Sequence, residues 1–176
     1  MESEVLVASM AMRHDSNTAR AIDAPAGRDW TEDEGVSLRL WIALARCYVT
    51  FSREVSWKVG EYGLTLPQFG VLEALHHLGP LALGELAEKL LVTGGNVTFV
   101  MDRLEALGLV YRDRSNEDRR VVMAKLTPEG RELIEARFSQ HATFIDSLTE
   151  ALTREEREDL RHLLKKLGKS VVGRDR

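Results

Sequence analysis

From residue 31 onward, apolar side chains return at helical spacing in six stretches, interrupted once by two short runs rich in Val, Leu and Tyr. "TEDE" at 31–34 has the Thr-x-x-Glu spacing in which a hydroxyl and a carboxylate each satisfy a free backbone N–H of a helix start. It predicts a long helix reaching about Tyr62. The middle of that helix is apolar nearly all round, with Leu38, Trp41, Ala45, Tyr48 and Val49 on one side and Leu40, Leu44, Cys47 and Phe51 on another. A helix greasy on several faces must be covered on several faces, so it is expected to lie between the chain's own core and something else. Gly63, a Thr65 cap and an early Pro67 predict a stop and a restart, with Phe69, Leu72 and Leu75 turned inward before Gly79 and Pro80. "LGELAEKLLV" gives a third helix too short to stand alone. A fourth runs from a Thr93 cap to Gly108, with Val97, Val100, Met101, Leu104 and Leu107 inward.

"LVYRDR" and "RVVMAKL", joined by the polar "SNED", then predict a β-hairpin. Thr127 and Pro128 open a fifth helix with the seam Ile134, Phe138, His141, Ile145 and Leu148. "TREE" at 153–156 opens a sixth, with Leu160, Leu163, Leu164 and Leu167 facing inward. The fold class is therefore mainly α with a small β-hairpin. Residues 1–29 show no sustained periodicity and read as a flexible tail, as do 171–176.

Charge changes the picture only when it is divided along the chain. The net charge is −4, which on its own argues against a polyanionic partner. Residues 1–34 hold eight acids and three bases, a net of −5, which leaves +1 on the other 142 residues. The body of the chain is thus permissive for nucleic acid. The longest apolar run, "VSLRLWIALARCYVTF", has 16 residues and contains Arg39 and Arg46, so no membrane span is expected. The opening "MESEVLVASMAM" lacks the leading bases of a secretory signal, and the single Cys47 fits a reducing compartment; a cytoplasmic location is expected. Cys47 on an apolar helix reads as inert packing. His76 and His77 point about 100° apart on a helix, which disfavours a shared metal. No nucleophile–base pair or glycine-rich phosphate loop is visible, so neither an enzyme nor a bound cofactor is expected.

A short helix, a tight turn and a second helix that starts with small polar residues have the sequence form of a helix-turn-helix, and the hairpin directly behind it makes a winged helix-turn-helix. If the helix from Thr93 enters a major groove, the hairpin tip is placed to reach the flanking minor groove, whose negative potential attracts guanidinium groups. Arg119 and Arg120 would supply them, with Asp118 holding one arginine fork in a fixed rotamer.

The blocks "LTLPQFGVL", "LGELAEKL", "GNVTFVMDRLEALGLVYR", "NEDRRVVMAKLTPEGREL" and "LTREEREDLRHLLKKL" occur in an order and spacing that resembles the MarR family of bacterial transcription regulators, over residues 31–169. "GNVTFVMDRLE", "FSQHA" and "LLKKLG" look closest to the branch typified by MhqR, a repressor of quinone and hydroquinone detoxification genes. The resemblance implies a homodimer on double-stranded DNA, two winged helices reading half-sites of a pseudo-palindromic operator about 34 Å apart. It implies an all-helical dimerisation lobe from 30–62 and 127–170, and a DNA-binding domain from 63–126. Carried over position by position, Thr93, Gly94, Gly95, Asn96 and Thr98 lie at the DNA-facing start of the recognition helix, and Arg103 near phosphate. Asp118 and Arg120 match the family's wing Asp-x-Arg pair, while Arg114 and Arg119 are expected to touch phosphates.

There are departures. Many members have Arg after the Thr of "NVT", where this chain has Phe99, either partly buried against the wing or facing DNA. The usual cap of the third helix is replaced by Ala82, weakening that helix start by about 1 kcal/mol. The position of the reactive cysteine in the peroxide-sensing branch is Trp41, so Cys47 is not that sensor. The resemblance also implies a small aromatic effector, phenolic or quinone-like, with Trp41, Tyr48, Phe69 and His141 as its candidate site; taken alone, His141 reads as a hydrogen-bonded core histidine. The competing function is a helical protein-interaction module of the same architecture that has lost specific DNA binding, to which the acidic tail and Phe99 lend support.

Overall fold

A computed structural model of the chain describes residues 31–90, 94–114 and 121–172. Thr93, Asp118, Arg119, Arg120, the tail at 1–29 and the last four residues lie outside the described residues. The chain divides into two compact units, Met1–Glu54 and Val55–Arg176. Helix α1 (Glu32–Gly60) begins in the first and ends in the second. Its start is a reciprocal cap: the Thr31 N–H donates to Glu34 Oε2 at 2.9 Å and the Glu34 N–H to Thr31 Oγ1 at 3.2 Å. Within the first unit Val36, Leu38, Leu40, Trp41, Tyr48 and Val49 are exposed. Cys47 is exposed too, so the described residues of this chain do not pack around it as expected.

The second unit opens with the last turns of α1, where Val55 and Val59 are buried. Helix α2 (Leu66–Leu78) follows a full capping box between Thr65 and Gln68 and buries Phe69, Val71, Leu72 and Leu75. Helices α3 (Leu83–Leu90) and α4 (Gly94–Ala106) close the helical core through Leu86, Val97, Met101 and Leu104. A fully enclosed Leu or Met of this kind contributes about 1.5–3 kcal/mol by leaving water. Strands β2 (Val110–Arg114) and β3 (Val122–Leu126) pair antiparallel from Val110↔Leu126 to Arg114↔Val122. Helix α5 (Pro128–Leu148) is capped by Thr127, and α6 (Arg154–Val172) by a Thr153–Glu156 box.

Four expectations need correction. The hairpin is part of a three-stranded sheet of order β1-β3-β2, because β1 (Leu81–Ala82) pairs with Ala124 and Met123 of β3. Two residues are too few for an alternating pattern to announce a strand. Ala82 does not leave α3 uncapped: Glu85 Oε2 accepts its N–H at 3.1 Å, so half a capping box offsets the missing hydroxyl. Leu107 is exposed, since α4 ends at Ala106. On α6, Leu160, Leu163, Leu164 and Leu167 are exposed as well, because nothing among the described residues covers their stripe.

The passage from α4 into the sheet and on to α5 is a tight junction. Gly108 takes φ +70°, a left-handed conformation that costs a residue with a Cβ, and the Leu109 N–H returns to the Leu104 carbonyl at 3.0 Å. Thr127 Oγ1 donates to the Gly108 carbonyl at 2.7 Å and accepts the Gly130 N–H at 3.0 Å, so one hydroxyl caps α5 and ties it to the end of α4. Gly130 rests directly on the Leu109 backbone: a Cβ there would lie 1.9 Å from the Leu109 carbonyl oxygen. Backbone cannot swing aside as a side-chain tip can. Gly130→Ala is therefore expected to lower stability by about 3 kcal/mol, read as a fall in the denaturant midpoint; an unchanged midpoint would show that the junction yields freely.

Candidate nucleic-acid interface

Helix α4 has two unlike sides. Val97, Val100, Met101 and Leu104 enter the core, while Gly94, Gly95, Asn96, Thr98, Phe99, Asp102 and Arg103 are exposed. At the N-terminal end the exposed residues are small, which lets another backbone come close to the free N–H groups and the positive end of the helix dipole. Thr98 turns its hydroxyl back to the Gly94 carbonyl at 3.0 Å. Phe99 is 59% exposed, which decides between the two readings of that residue: it is not buried against the wing strands. The Arg103 guanidinium lies over its ring, 5.3 Å from the centroid.

A polyanion would be repelled by the carboxylates of this helix if they were free. Arg112 of β2 engages both. Its Nη1 pairs with Glu105 Oε2, its Nη2 with Asp102 Oδ1 at 2.8 Å, and the same Nη2 donates to the Thr98 carbonyl at 3.0 Å. The Arg112 backbone N–H adds a bond to Glu105 Oε1 at 2.8 Å. The planar five-donor fork of arginine suits such a multi-point clamp, where a lysine would satisfy fewer partners. One side chain thus pairs with two acids, offsets half of their charge and fixes the first strand of the hairpin against the exposed helix. Farther along the hairpin, Lys125 Nζ meets Asp113 Oδ2 at 2.6 Å, a hydrogen bond that raises the lysine pKa. Arg114 closes β2 opposite Val122.

A short helix, an exposed helix and a strand pair in this order match known proteins along most of the chain. Residues 64–122 match the MarR family. The HTH-type transcriptional regulator MhqR of Bacillus subtilis is 36% identical over 132 residues, covering 75% of this chain and 91% of its own. The chain belongs to the MarR family. A MarR variant from E. coli solved with operator DNA aligns with TM-score 0.69 and 28% identity over 75% of this chain and 95% of that one. BpsR of Bordetella bronchiseptica, whose DNA binding is regulated by 6-hydroxynicotinic acid, aligns with TM-score 0.68 and 28% identity over 74% and 98%. The protein is a MarR-family transcriptional regulator with a DNA-binding fold, and the family is not enzymatic. No helix among the described residues is long and apolar enough to cross a membrane.

In this MarR-family chain the residues expected to hold an effector divide between the two units. Trp41 and Tyr48 belong to the first and are exposed. Phe69 and His141 belong to the second, where they are buried with ring centroids 4.5 Å apart. Burial lowers the His141 pKa below its ordinary 6.5, with Glu73 acting weakly the other way, so the imidazole is neutral at pH 7. Among the described residues it lacks part of the hydrogen bonding that its seam position suggests. Its Nδ1 is enclosed without a partner among the described residues, and so are Tyr62 Oη, His76 Nδ1 and Arg137 Nε. Tyr62 links two of these groups: its ring is 6.0 Å from Phe69, and the Arg137 guanidinium is 5.6 Å from its centroid. Neither Tyr62 nor Arg137 stands out in the sequence, because Tyr62 falls in the turn after α1 and Arg137 on a helix surface, where such residues are ordinary.

Arg112 is equally silent in the sequence, although the three-residue spacing of Asp102 and Glu105 places both acids on one side of α4. Arg112→Ala is expected to cost about 1–2 kcal/mol, the range between an exposed and a buried ion pair, lowering the melting temperature by about 2–8 °C. Arg112→Lys should recover only part of it. Calorimetry checks both; equal melting of all three proteins would mean the clamp contributes nothing.

Proposed function

We propose that this chain acts as a homodimeric, sequence-specific DNA-binding repressor, with the exposed side of α4 in a major groove and the hairpin reaching the flanking minor groove. The observation that carries the reading is the charge arrangement on α4: its two acids nearest the wing are engaged by Arg112, while Arg103 has no carboxylate partner among the described residues. Gly94, Gly95, Asn96 and Thr98 are the base- and backbone-facing candidates, with Thr93 before them on sequence grounds. Arg114, Asp118, Arg119 and Arg120 are proposed as the wing contacts, Arg120 entering the groove. The exposed stripe of Leu160, Leu163, Leu164, Leu167 and Val171 on α6 supports a two-fold partner, since an apolar face of that length is costly to leave in water.

Binding to duplexes from the DNA flanking its own gene tests this reading. Phosphate contacts release counterions, so affinity should fall steeply with salt, and the 19.8 kDa chain should sediment as a dimer. Arg120→Ala is expected to weaken the specific duplex by about 1–3 kcal/mol with the dimer intact. A flat salt response would favour a protein-interaction module instead.

The effector we propose is a small phenol or quinone. An aromatic wall at Phe69 and Tyr62, a neutral imidazole at His141 and the guanidinium of Arg137 suit a flat ring that carries a hydroxyl or an acid group. A hydroxylated aromatic acid regulating the related BpsR supports the class. Trp41 and Tyr48 stay candidates on sequence grounds. Release requires that the ligand bind the DNA-free arrangement more tightly than the DNA-bound one. Hydroquinone, catechol and salicylate titrated against the complex should include at least one that displaces DNA, and His141→Leu should raise its half-release concentration at least tenfold. Displacement by none would sink the effector reading and leave the DNA reading standing.

A further inference from the structure

We propose that Phe99 is a specificity-determining residue, whose ring reads thymine 5-methyl groups in the major groove and holds the Arg103 guanidinium for an adjacent phosphate. The proposal rests on the DNA-binding reading above. Phe99 stands one turn after Gly95 and Asn96 and one turn before Arg103, so the four share a stripe on the exposed side of α4. Gly95 has no side chain to shield the ring, and more than half of the Phe99 surface is open to water. A large apolar ring left exposed within a stripe of small and charged residues needs an apolar partner to gain anything from its position.

Among the base edges of the major groove, the thymine methyl is the apolar one. A ring laid against cytosine or guanine would instead cover hydrogen-bonding groups it cannot satisfy, at a desolvation cost. The preference therefore runs toward A·T pairs at the positions under the ring. The second half of the proposal follows from the pair geometry: Arg103 sits over the ring face at 5.3 Å and has no ion pair among the described residues. Its charge stays available to a phosphate while the ring limits where it can go. Asp102, its neighbour, cannot compete freely because Arg112 holds it at 2.8 Å.

The experiment starts from a pool of random-sequence duplexes enriched on the full-length wild-type protein. Each thymine of the enriched duplex is then replaced by uracil, which lacks the methyl group, and affinity is measured for wild type, Phe99→Ala and Arg103→Ala, with melting curves to confirm that each variant is folded. Wild type should lose about three- to tenfold on uracil at one or two positions per half-site, and Phe99→Ala should be indifferent to the same replacement. Arg103→Ala should keep the uracil effect and show a shallower salt dependence. Wild-type binding that ignores every uracil, or Phe99→Ala that keeps the uracil effect, overturns the proposal without touching the DNA-binding reading. Failure of wild type to enrich or bind any duplex defeats that reading first, and this inference with it.

Discussion

A guanidinium held between two carboxylates on a neighbouring helix is the contact on which the joining of the strand pair to the exposed helix depends. Arg112 joins β2 to α4 through Asp102, Glu105 and the Thr98 carbonyl, and its side chain is less than a quarter exposed. The pairing has a mechanical and an electrostatic consequence. Mechanically, the hairpin and the exposed helix cannot change their angle without breaking several charge-assisted hydrogen bonds at once. Electrostatically, Arg112 offsets one of the two negative charges that would oppose a phosphate backbone, and Arg103 carries a positive charge that balances the other.

The second constraint is the backbone junction at Leu109. Gly108 turns the chain left-handed, the Leu109 carbonyl accepts the Thr127 N–H, and Gly130 lets the first turn of α5 sit on that same carbonyl. Helix α4, the sheet and α5 therefore meet at a few backbone atoms with no room for a methyl group. A displacement of α5 has a short, stiff route to the end of α4. The enclosed polar atoms of Arg137 and His141 lie on α5 itself, and that of Tyr62 in the turn that follows α1.

Much of the fold is legible in the residue pattern, for a physical reason that differs from element to element. Caps at Thr31, Thr65 and Thr153 are local chemistry, a hydroxyl and a carboxylate or amide three residues apart, and Thr127 supplies the hydroxyl alone to the Gly130 N–H, so all four are readable at short range. The buried sides of α2 and α4 follow from periodicity alone. Strand β1 does not: its two residues pair with Ala124 and Met123, more than forty positions away, and no local signal encodes that meeting. Leu107 and the leucines of α6 mislead because periodicity marks a face that must be covered without saying by what.

For the candidate site, the sequence by itself determined the helix-turn-helix order, the small start of α4, the charged hairpin and the family resemblance, because each is a matter of residue type at short spacing. Only the tertiary structure decided that Phe99 is open to water with Arg103 on its face, that Arg112 spends its charge inside the protein, and that His141 Nδ1 is enclosed with no hydrogen-bond partner among the described residues. Those outcomes depend on which distant groups come within a few ångströms of one another. Coulomb and hydrogen-bond energies turn on that distance, and a linear sequence does not contain it.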